Sequence, residues 1–479
     1  MAASIETKPP IRILVGIASY GTNNAPYLEE IIRQYKSMPF KIDIVVFSNI
    51  EKNLGADIEC TIGLPNKNPW SLPFAHKKLF VERANSYDLF VYSEDDILIA
   101  EKTIRAWLNV TAELLPNEVA GFLRIEFGSN GEVNYPDAHA HFHWDPSSVR
   151  RRGAYTLAHF TNEHAACYVL TQAQLAAALR SGGFDVAPHE GKYDLLCTAA
   201  TDPYTQCGFT KLIPVSHLGA FTVHHMSNRY VGKIGVTAEE FGRQIDVLLR
   251  IADCPPKALI PTETRLWRNA YSKDYYEPVT EQFTSLIPPA ARSVFSIGCG
   301  SGALERWLAK KGLRVAAIPL DPVIASGAAA DGVEMFYEDL EGLKNKKHFD
   351  CVLCSNILHL APKPEKWLSL MHTFMHGNST LIIQTPNMMS LKAIRSRWKD
   401  GPLIPLVDYT TMGTHFSSAR SIRKWCSKAG FRIEKISKIL PHPTDGRAGL
   451  ASAIAGHLPT LFLSPFASSI VVTATRKVK

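Results

Sequence analysis

One stretch of the chain, VFSIGCGSGALERWLAKKGLRVAAIPLD (residues 294–321), restricts the possible folds more than any other. An apolar strand runs into a turn that carries Gly298, Gly300 and Gly302, and a helix and a second strand ending at Asp321 follow. Glycines at such a turn let the backbone approach a ligand closely, and an acid about 20 residues later is placed to hold a ribose hydroxyl. The combination predicts a nucleotide-binding α/β unit.

The length and composition of the chain are typical of a globular protein with more than one domain. It has 479 residues, of which 46% are hydrophobic and 20% charged, and a single core rarely grows to that length. The net charge of +7 is mild and includes no polybasic block, so we predict no nucleic-acid partner. The nine cysteines are scattered, which indicates reduced core residues.

The N-terminal sequence and the apolar runs indicate where the protein is located. MAASIETKPP lacks the apolar stretch of a signal peptide. No apolar run approaches the roughly 20 residues that span a bilayer, so no transmembrane segment is predicted. We therefore expect a cytoplasmic protein, with peripheral association at the inner face of the membrane left open.

Two successive series of alternating strands and helices indicate two α/β domains. The first begins with IRILVGIASYG and continues through KIDIVVFSNI and LFVYSEDD. A proline-marked segment follows, and a second series then starts with SVFSIG. We predict an N-terminal domain over residues 1–255, a linker over 256–267 and a C-terminal domain over 268–479.

From about residue 268 onward the sequence resembles class I S-adenosylmethionine-dependent methyltransferases. FDCVLCSN, LIIQTPN, HFSSARSIRKWCSKAGF and SSIVVTATRK match later elements of that family. The resemblance implies a seven-stranded Rossmann-like sheet and S-adenosylmethionine as cofactor. It also implies that the following residues bind the cofactor: Gly298, Cys299, Gly300 and Gly302 in the loop, Asp321 at the ribose, Glu338 and Asp339 beside the adenine, and Ser355 and Asn356 facing the site.

Two positions in this half need separate interpretation. The family usually has an acid two residues before the first glycine, where it helps to organise the methionine end of the cofactor, but this chain has Ser296. His359 is a candidate general base for hydroxyl methylation, because histidine titrates near neutral pH, or a residue that only shapes the pocket. A NAD-binding Rossmann domain and a methyltransferase fold without activity are the alternatives.

Three consecutive acids, Glu94, Asp95 and Asp96, follow a buried-looking strand in YDLFVYSEDDILIA. Burying unpaired carboxylates is costly, so a positive partner is expected there. Ligands bind at the C-terminal ends of strands in open α/β sheets, and hard oxygen ligands suit Mg²⁺ or Mn²⁺. The stretch therefore predicts a divalent-cation site for a diphosphate, with a solvated acidic loop or helix cap as the alternative.

Residues from about 10 to 250 resemble glycosyltransferases of the GT-A type, which carry a DxD-like motif after such a strand. The resemblance implies a nucleotide-diphosphate sugar as donor and Asp96 as the main metal ligand, supported by Glu94 and Asp95. It also implies a nucleotide-sugar site formed by Ala18, Ser19, Tyr20, Ser48, Asn49 and Asp95. The family often completes its metal shell with a late histidine. We expect one of His224 and His225 in that role, because adjacent strand residues point to opposite faces.

Inverting sugar transfer needs a base that deprotonates the acceptor hydroxyl. Asp194 and Asp202 are slightly preferred over Glu190, although each of these acids is equally suited to a helix cap or a surface charge.

The segment DAHAHFHWD (residues 137–145) carries His139, His141 and His143 at every second position. On one strand face these histidines would suit zinc. Strand neighbours on one face are nearly 7 Å apart, which favours the wall of an acceptor groove instead.

Together these patterns predict a bifunctional glycan-modifying enzyme. The N-terminal domain would transfer a sugar, and the C-terminal domain would methylate an oxygen on a glycan or lipid-linked saccharide acceptor. Two alternatives of other classes are a methyltransferase whose N-terminal domain only targets the glycan, and a non-catalytic glycan-binding scaffold.

Overall fold

A computed structural model describes residues 10–256, 260–343, 347–391, 393–395, 409–440 and 465–477. The chain divides into two compact units, Met1–Pro256 and Lys257–Lys479, each with its own apolar core. In the part of the chain that the structure describes, no helix is long and apolar enough to cross a membrane.

The first unit contains fourteen strands and six α-helices among its described residues. The strands are β1 (Arg12–Ser19), β2 (Lys41–Ser48), β3 (Glu59–Ile62), β4 (Leu89–Glu94), β5 (Ile97–Leu98), β6 (Glu118–Ala120), β7 (Leu123–Phe127), β8 (Val133–Tyr135), β9 (Trp144–Arg152), β10 (Tyr155–Phe160), β11 (Cys167–Thr171), β12 (Thr210–Pro214), β13 (Thr222–His225) and β14 (Val236–Thr237). The helices are α1 (Ala25–Ser37), α2 (Ala75–Glu82), α3 (Glu101–Thr111), α4 (Gln172–Arg180), α5 (Leu195–Thr205) and α6 (Ala238–Ile251), and 3₁₀ turns span Pro69–Phe74 and Val215–Ala220.

The central sheet of the first unit has the order β11-β4-β1-β2-β3. Its strands are parallel except β11, which runs antiparallel to β4. The apolar runs of β1 and β4 are almost completely buried, as parallel strands covered on both faces require. The chain leaves β1 towards β2 and β3 and returns to β4 on the other side. The strand order therefore reverses between β1 and β4, which opens a crevice at their C-terminal ends.

Two smaller sheets, in the orders β6-β12-β10-β9 and β14-β8-β7-β13-β5, complete the first unit. β13 pairs with β5 so that His225 lies opposite Ile97, directly after the three acids. The three histidines of residues 137–145 do not share a strand face, because His139, His141 and His143 lie in the loop before β9. The strand predicted for them is wrong, and their regular spacing has no structural meaning.

The second unit contains seven strands and six α-helices that the structure describes in full. The strands are β15 (Ser293–Cys299), β16 (Arg314–Pro319), β17 (Glu334–Met335), β18 (Phe349–Ser355), β19 (Met375–Pro386), β20 (Phe431–Ile439) and β21 (Ser469–Arg476). The helices are α7 (Glu281–Thr284), α8 (Ala303–Lys310), α9 (Ser326–Ala330), α10 (Pro364–Met371), α11 (Tyr409–Met412) and α12 (Ala419–Lys428), and 3₁₀ turns span Trp267–Asn269, Leu358–Leu360 and His372–Phe374.

These seven strands form one sheet in the order β17-β16-β15-β18-β19-β21-β20. β21 runs antiparallel to both of its neighbours, β19 and β20. The predicted Rossmann-like α/β architecture of this half is confirmed. Part of the segment predicted as a linker packs on this unit, because Ile260 is buried in its core and the Arg265 N–H donates to the Met412 carbonyl.

Candidate functional site

The glycine turn of the second unit lies at the C-terminal end of β15, where the strand order reverses between β16 and β18. A pocket of about 250 Å³ lies against it. This glycine-loop pocket is lined by residues 298–302 together with Lys273, Glu277, Ser296, Glu305, Ser355 and Asn356. Such a crevice is where open α/β sheets bind their ligands.

Glycine is required at each of the three loop positions for a structural reason. Gly298 and Gly302 have φ angles of +82° and +75°, a conformation that costs residues with a Cβ atom. Gly300 is required for packing, since a Cβ atom there would lie 2.2 Å from the Tyr275 carbonyl oxygen. The Ser301 N–H donates to that same oxygen at 2.7 Å. The loop and the segment around Tyr275 therefore fit together through backbone atoms.

A partly buried polar network lines one side of the glycine-loop pocket. The Lys273 ammonium group donates to Glu277 Oε2 at 2.5 Å and to the Ser355 carbonyl at 2.9 Å. Asn356 Nδ2 donates to Glu277 Oε1 at 2.8 Å, and Ser355 Oγ donates to Glu277 Oε2 at 3.2 Å. Lys273 and Glu277 are functional candidates that sequence reasoning missed, because no spacing pattern relates them to a glycine turn more than 20 residues away.

Ser296 and Glu305 form a second buried contact in this pocket. Ser296 Oγ donates to Glu305 Oε1 at 2.5 Å, and the two residues are 5% and 6% exposed. The neighbouring thiol of Cys299 has a pKa well above its ordinary value, first because it is buried and then because the Glu305 carboxylate lies beside it. Helix α8 thus places a carboxylate next to the position where the strand has serine.

The other predicted cofactor residues of this unit lie in two places. Asp321 follows β16, and its Oδ1 accepts the N–H groups of Val323 and Ile324 at 2.8 and 2.9 Å. Glu338 and Asp339 follow β17 and are exposed. Asp339 lines a different pocket of about 230 Å³. The structure therefore does not bring Glu338 and Asp339 to the glycine-loop pocket.

His359 does not have the surroundings of a general base. It is buried, its Nε2–H donates to the Tyr271 carbonyl at 2.8 Å, and it does not line the glycine-loop pocket. Burial lowers the pKa of His359 to about 4, so the ring stays neutral at physiological pH. We correct the base interpretation, because this geometry makes His359 a residue that holds the segment near Tyr271 in place.

The three acids of the first unit point in three directions. Asp95 faces the crevice between β1 and β4. Its oxygens accept hydrogen bonds from Ser19 Oγ at 2.6 Å and from Asn24 Nδ2 at 2.7 Å. Asp96 Oδ2 lies 3.1 Å from His225 Nε2. Glu94 lines a separate pocket of about 190 Å³. Asp95 and Asp96 therefore have separate partners on separate sides of the strand end, and Glu94 faces a third direction.

The predicted nucleotide-sugar residues lie around the ends of β1 and β2. Ser19 and Ser48 are register partners there, and the Ala18 carbonyl accepts the Asp95 N–H at 3.1 Å. Asn49 Oδ1 accepts the Gly21 N–H at 2.7 Å. Tyr20 is exposed. The structure places these residues around the C-terminal ends of β1 and β2, beside the strand end that carries Asp95.

His225 is the side chain that contacts Asp96, one of the three adjacent acids. Its Nδ1 lies 2.7 Å from Glu126 Oε1 and its Nε2 faces Asp96, so the ring bridges two carboxylates. Burial alone would raise the pKa of Asp96, but the hydrogen bond and charge of His225 outweigh burial and hold that pKa below its ordinary value. His224 points elsewhere and contacts Asn228.

Glu94 lies in a different electrostatic environment from its neighbours. Burial, followed by the charge of Asp96, raises the pKa of Glu94 to about 8. Arg124 and Arg229 line the same pocket, and Arg124 is held by Asp137 through a side-chain contact of 2.7 Å. Glu94 is thus largely protonated at neutral pH when no cation is bound.

The predicted divalent-cation site has no support in the residues that the structure describes. Among them, no group of three or more His, Cys, Asp or Glu side chains has an arrangement that would hold a metal ion. Both oxygens of Asp95 accept protein donors, and both ring nitrogens of His225 face carboxylates. The donor set therefore does not fit Mg²⁺ or Mn²⁺ in this arrangement.

The two acids proposed as the base for sugar transfer have structural roles. Asp194 caps the N-terminus of α5, where its side chain accepts the Cys197 N–H at 3.0 Å. Asp202 lies inside α5 and forms a buried ion pair with Lys77. Neither lines the pocket that contains Glu94. Asp194 thus has the helix-cap role that was the alternative for these acids, and the base role of both acids stays a prediction that these contacts do not support.

Comparisons with known proteins concern the second unit. A family model described as a methyltransferase domain matches residues 267–436, which is less than half of the chain. A curated relative from Xanthomonas axonopodis pv. citri (strain 306), named ubiquinone biosynthesis O-methyltransferase, is 27% identical over 192 residues, covering 36% of this chain and 77% of the relative. The protein of that name from Xanthomonas oryzae pv. oryzae (strain PXO99A) is 26% identical, covering 34% and 72%.

Solved structures similar to this chain include a SAM-dependent methyltransferase from Archaeoglobus fulgidus, with 18% identity and a TM-score of 0.29, covering 39% of this chain and 87% of that one. The family match and the glycine turn at the sheet's point of reversal lie in the same segment. The C-terminal part of this chain is a class I S-adenosylmethionine-dependent methyltransferase domain.

Proposed function

We propose that the second unit transfers a methyl group from S-adenosylmethionine to a hydroxyl oxygen. The observation that carries this proposal is the glycine-loop pocket, which lies where the strand order of the sheet reverses. Open α/β sheets bind their ligands at such a place. The names of the two curated relatives, both O-methyltransferases, support oxygen as the acceptor atom.

The residues of the glycine-loop pocket fit S-adenosylmethionine. The glycine residues of the loop expose backbone atoms to the pocket. Lys273, Glu277 and Glu305 place one cationic and two anionic groups around it. These charges complement the ammonium and carboxylate groups of an amino acid. Asp321 follows β16, the position that suits an acid bound to a ribose. When bound, the cofactor supplies a methyl group activated by a sulfonium centre. The residues named here would bind and orient it.

The acceptor is proposed to be a glycan or a lipid-linked saccharide. This choice rests on the resemblance of the first unit to glycosyltransferases, since a single chain that carries both activities would act most economically on one product. Methylating a hydroxyl group blocks chain extension at that hydroxyl, so capping of a growing glycan is the corresponding role.

Methyl transfer is tested by incubating the purified chain with methyl-labelled S-adenosylmethionine and a panel of saccharides. We expect label on the saccharide, and we expect Asp321→Asn to lower the rate at least about 10-fold through loss of a charge-assisted hydrogen bond. Asp253→Asn, at an exposed position of the first unit, should leave the rate unchanged. Label found only on protein, or only on hydroxylated aromatic compounds offered in parallel, would contradict a glycan acceptor.

A second proposed function is sugar transfer by the first unit from a nucleotide-diphosphate sugar. The observation that favours it is the polar crevice at the point of strand reversal, where Asp95 is held by Ser19 and Asn24. A crevice at that position is a usual ligand site. Arg124 and Arg229 line the separate pocket that contains Glu94.

Nucleotide binding by the first unit is tested by thermal unfolding with UDP, GDP or CMP, each with and without Mn²⁺. One nucleotide should stabilise the wild-type chain, by about 2.7 kcal/mol at 100 times its dissociation constant. Asp96→Asn should abolish that shift and leave the shift caused by S-adenosylhomocysteine intact, with exposed Asp57→Asn as the matched control. A wild-type chain that responds to no nucleotide would remove the support for sugar transfer.

A further inference from the structure

Two of the carboxylates that line the glycine-loop pocket, Glu277 and Glu305, have different partners. Glu277 accepts hydrogen bonds from Lys273, Ser355 and Asn356, so its charge has a cationic partner. Glu305 accepts a hydrogen bond from the hydroxyl of Ser296. In the described ranges of the chain, the structure records no ion pair for Glu305. Glu305 therefore lines the pocket without an ion-pair partner among the described residues.

The position of Glu305 makes that imbalance costly unless a ligand relieves it. The residue is 6% exposed, and a buried carboxylate is unfavourable without a charged partner. Glu305 lies in the first turn of α8, where the helix dipole offsets part of that cost. The remainder is relieved most directly by a cationic ligand group in the adjacent pocket.

We propose that Glu305 binds the α-ammonium group of S-adenosylmethionine, so that helix α8 supplies the negative charge that Ser296 does not supply from β15. An ammonium group carries three N–H donors for a carboxylate, whereas a sulfonium centre carries none. Ser296 then acts as a positioning residue, because its hydroxyl holds Glu305 Oε1, and the Cys299 thiol lies against the same carboxylate. This inference rests on the proposed methyl-transfer function.

The test compares two ligands that differ in the amino-acid part. S-adenosylhomocysteine contains the ammonium group, and 5′-methylthioadenosine contains the adenosine and thioether without it. Isothermal titration of the full chain with Glu305→Gln should give about 10-fold or weaker affinity for S-adenosylhomocysteine and less than about twofold change for methylthioadenosine. Moving the carboxylate back to the strand, in the double variant Ser296→Asp with Glu305→Ser, should restore affinity to within about threefold.

Three controls separate the possible outcomes. Glu281→Gln removes an exposed acid of the same unit and should change neither affinity. If Glu305→Gln unfolds, Ser296→Asp/Glu305→Ser is compared with Ser296→Ala/Glu305→Ser, because this pair differs only by the carboxylate at position 296. The proposal is overturned if Glu305→Gln binds S-adenosylhomocysteine normally or weakens both ligands equally. A wild-type chain that binds neither ligand would instead refute the methyl-transfer function itself.

Discussion

Replacing Gly300 with alanine will abolish binding of S-adenosylhomocysteine to the second unit. The new Cβ atom would lie 2.2 Å from the carbonyl oxygen and 2.8 Å from the carbonyl carbon of Tyr275. Both are backbone atoms, so no side-chain rotation relieves the overlap. The segment around Tyr275 must move away from the loop, and it takes Lys273 and Glu277 with it, because these residues lie two positions before and after Tyr275.

The loss should appear in both affinity and stability. We expect at least about 100-fold weaker binding by isothermal titration, since the polar wall of the pocket is displaced, and about 1 to 3 kcal/mol lower free energy of unfolding in urea, as for other overpacked sites. Gly377→Ala is the matched control, because Gly377 lies in β19 of the same unit and a Cβ atom there meets open space. Normal affinity of Gly300→Ala would show that the loop and the segment around Tyr275 separate readily.

The glycine loop was predictable because all of its signals are local. Strand, turn, helix and second strand follow each other within 28 residues (294–321), and each has its own periodicity or glycine requirement. Lys273 and Glu277 reach the same pocket from a segment without such a pattern. Glu305 lies inside the predicted helix, but its role in the pocket depends on the hydrogen bond from Ser296 on the neighbouring strand. Only tertiary packing brings these three side chains together.

The acids of the first unit also have partners that only tertiary packing brings to them. The sequence placed Asp95 and Asp96 at the end of a buried strand, and the alternation of strand side chains correctly separated His224 from His225. It did not reveal that Glu126 would share His225 with Asp96, since 99 residues separate Glu126 from that histidine. The cation site was inferred from the charge of the acids and their place at a strand end, whereas the fold gives Asp95 and Asp96 partners among its own side chains.

Replacing Asp202 with alanine will strongly lower the free energy of unfolding of the first unit. Any activity of that unit would then fall as if a catalytic residue had been removed. Asp202 is 0% exposed and its partner Lys77 is 2% exposed. Burial raises the pKa of Asp202 and lowers the pKa of Lys77, and each charge partly offsets the effect on the other. Without Asp202 the Lys77 ammonium group remains buried against Phe74 and Phe184. Removing one partner of a buried ion pair costs about 3 to 5 kcal/mol.

Replacing both partners distinguishes a structural pair from a catalytic one. The double variant Lys77→Met with Asp202→Leu removes both charges and keeps the apolar volume, so its free energy of unfolding should return to within about 1 kcal/mol of wild type or exceed it. Breaking the exposed pair between Lys36 and Asp57 with Asp57→Ala should change little, because water already solvates both groups. Urea unfolding of the wild type, Asp202→Ala, the double variant and Asp57→Ala measures these differences.

If Asp202→Ala keeps wild-type stability, then Lys77 finds another partner or loses its proton at little cost, and the role of Asp202 is not to hold the fold. If the double variant is stable and also retains any sugar-transfer activity, Asp202 cannot be the base for that reaction, since leucine accepts no proton.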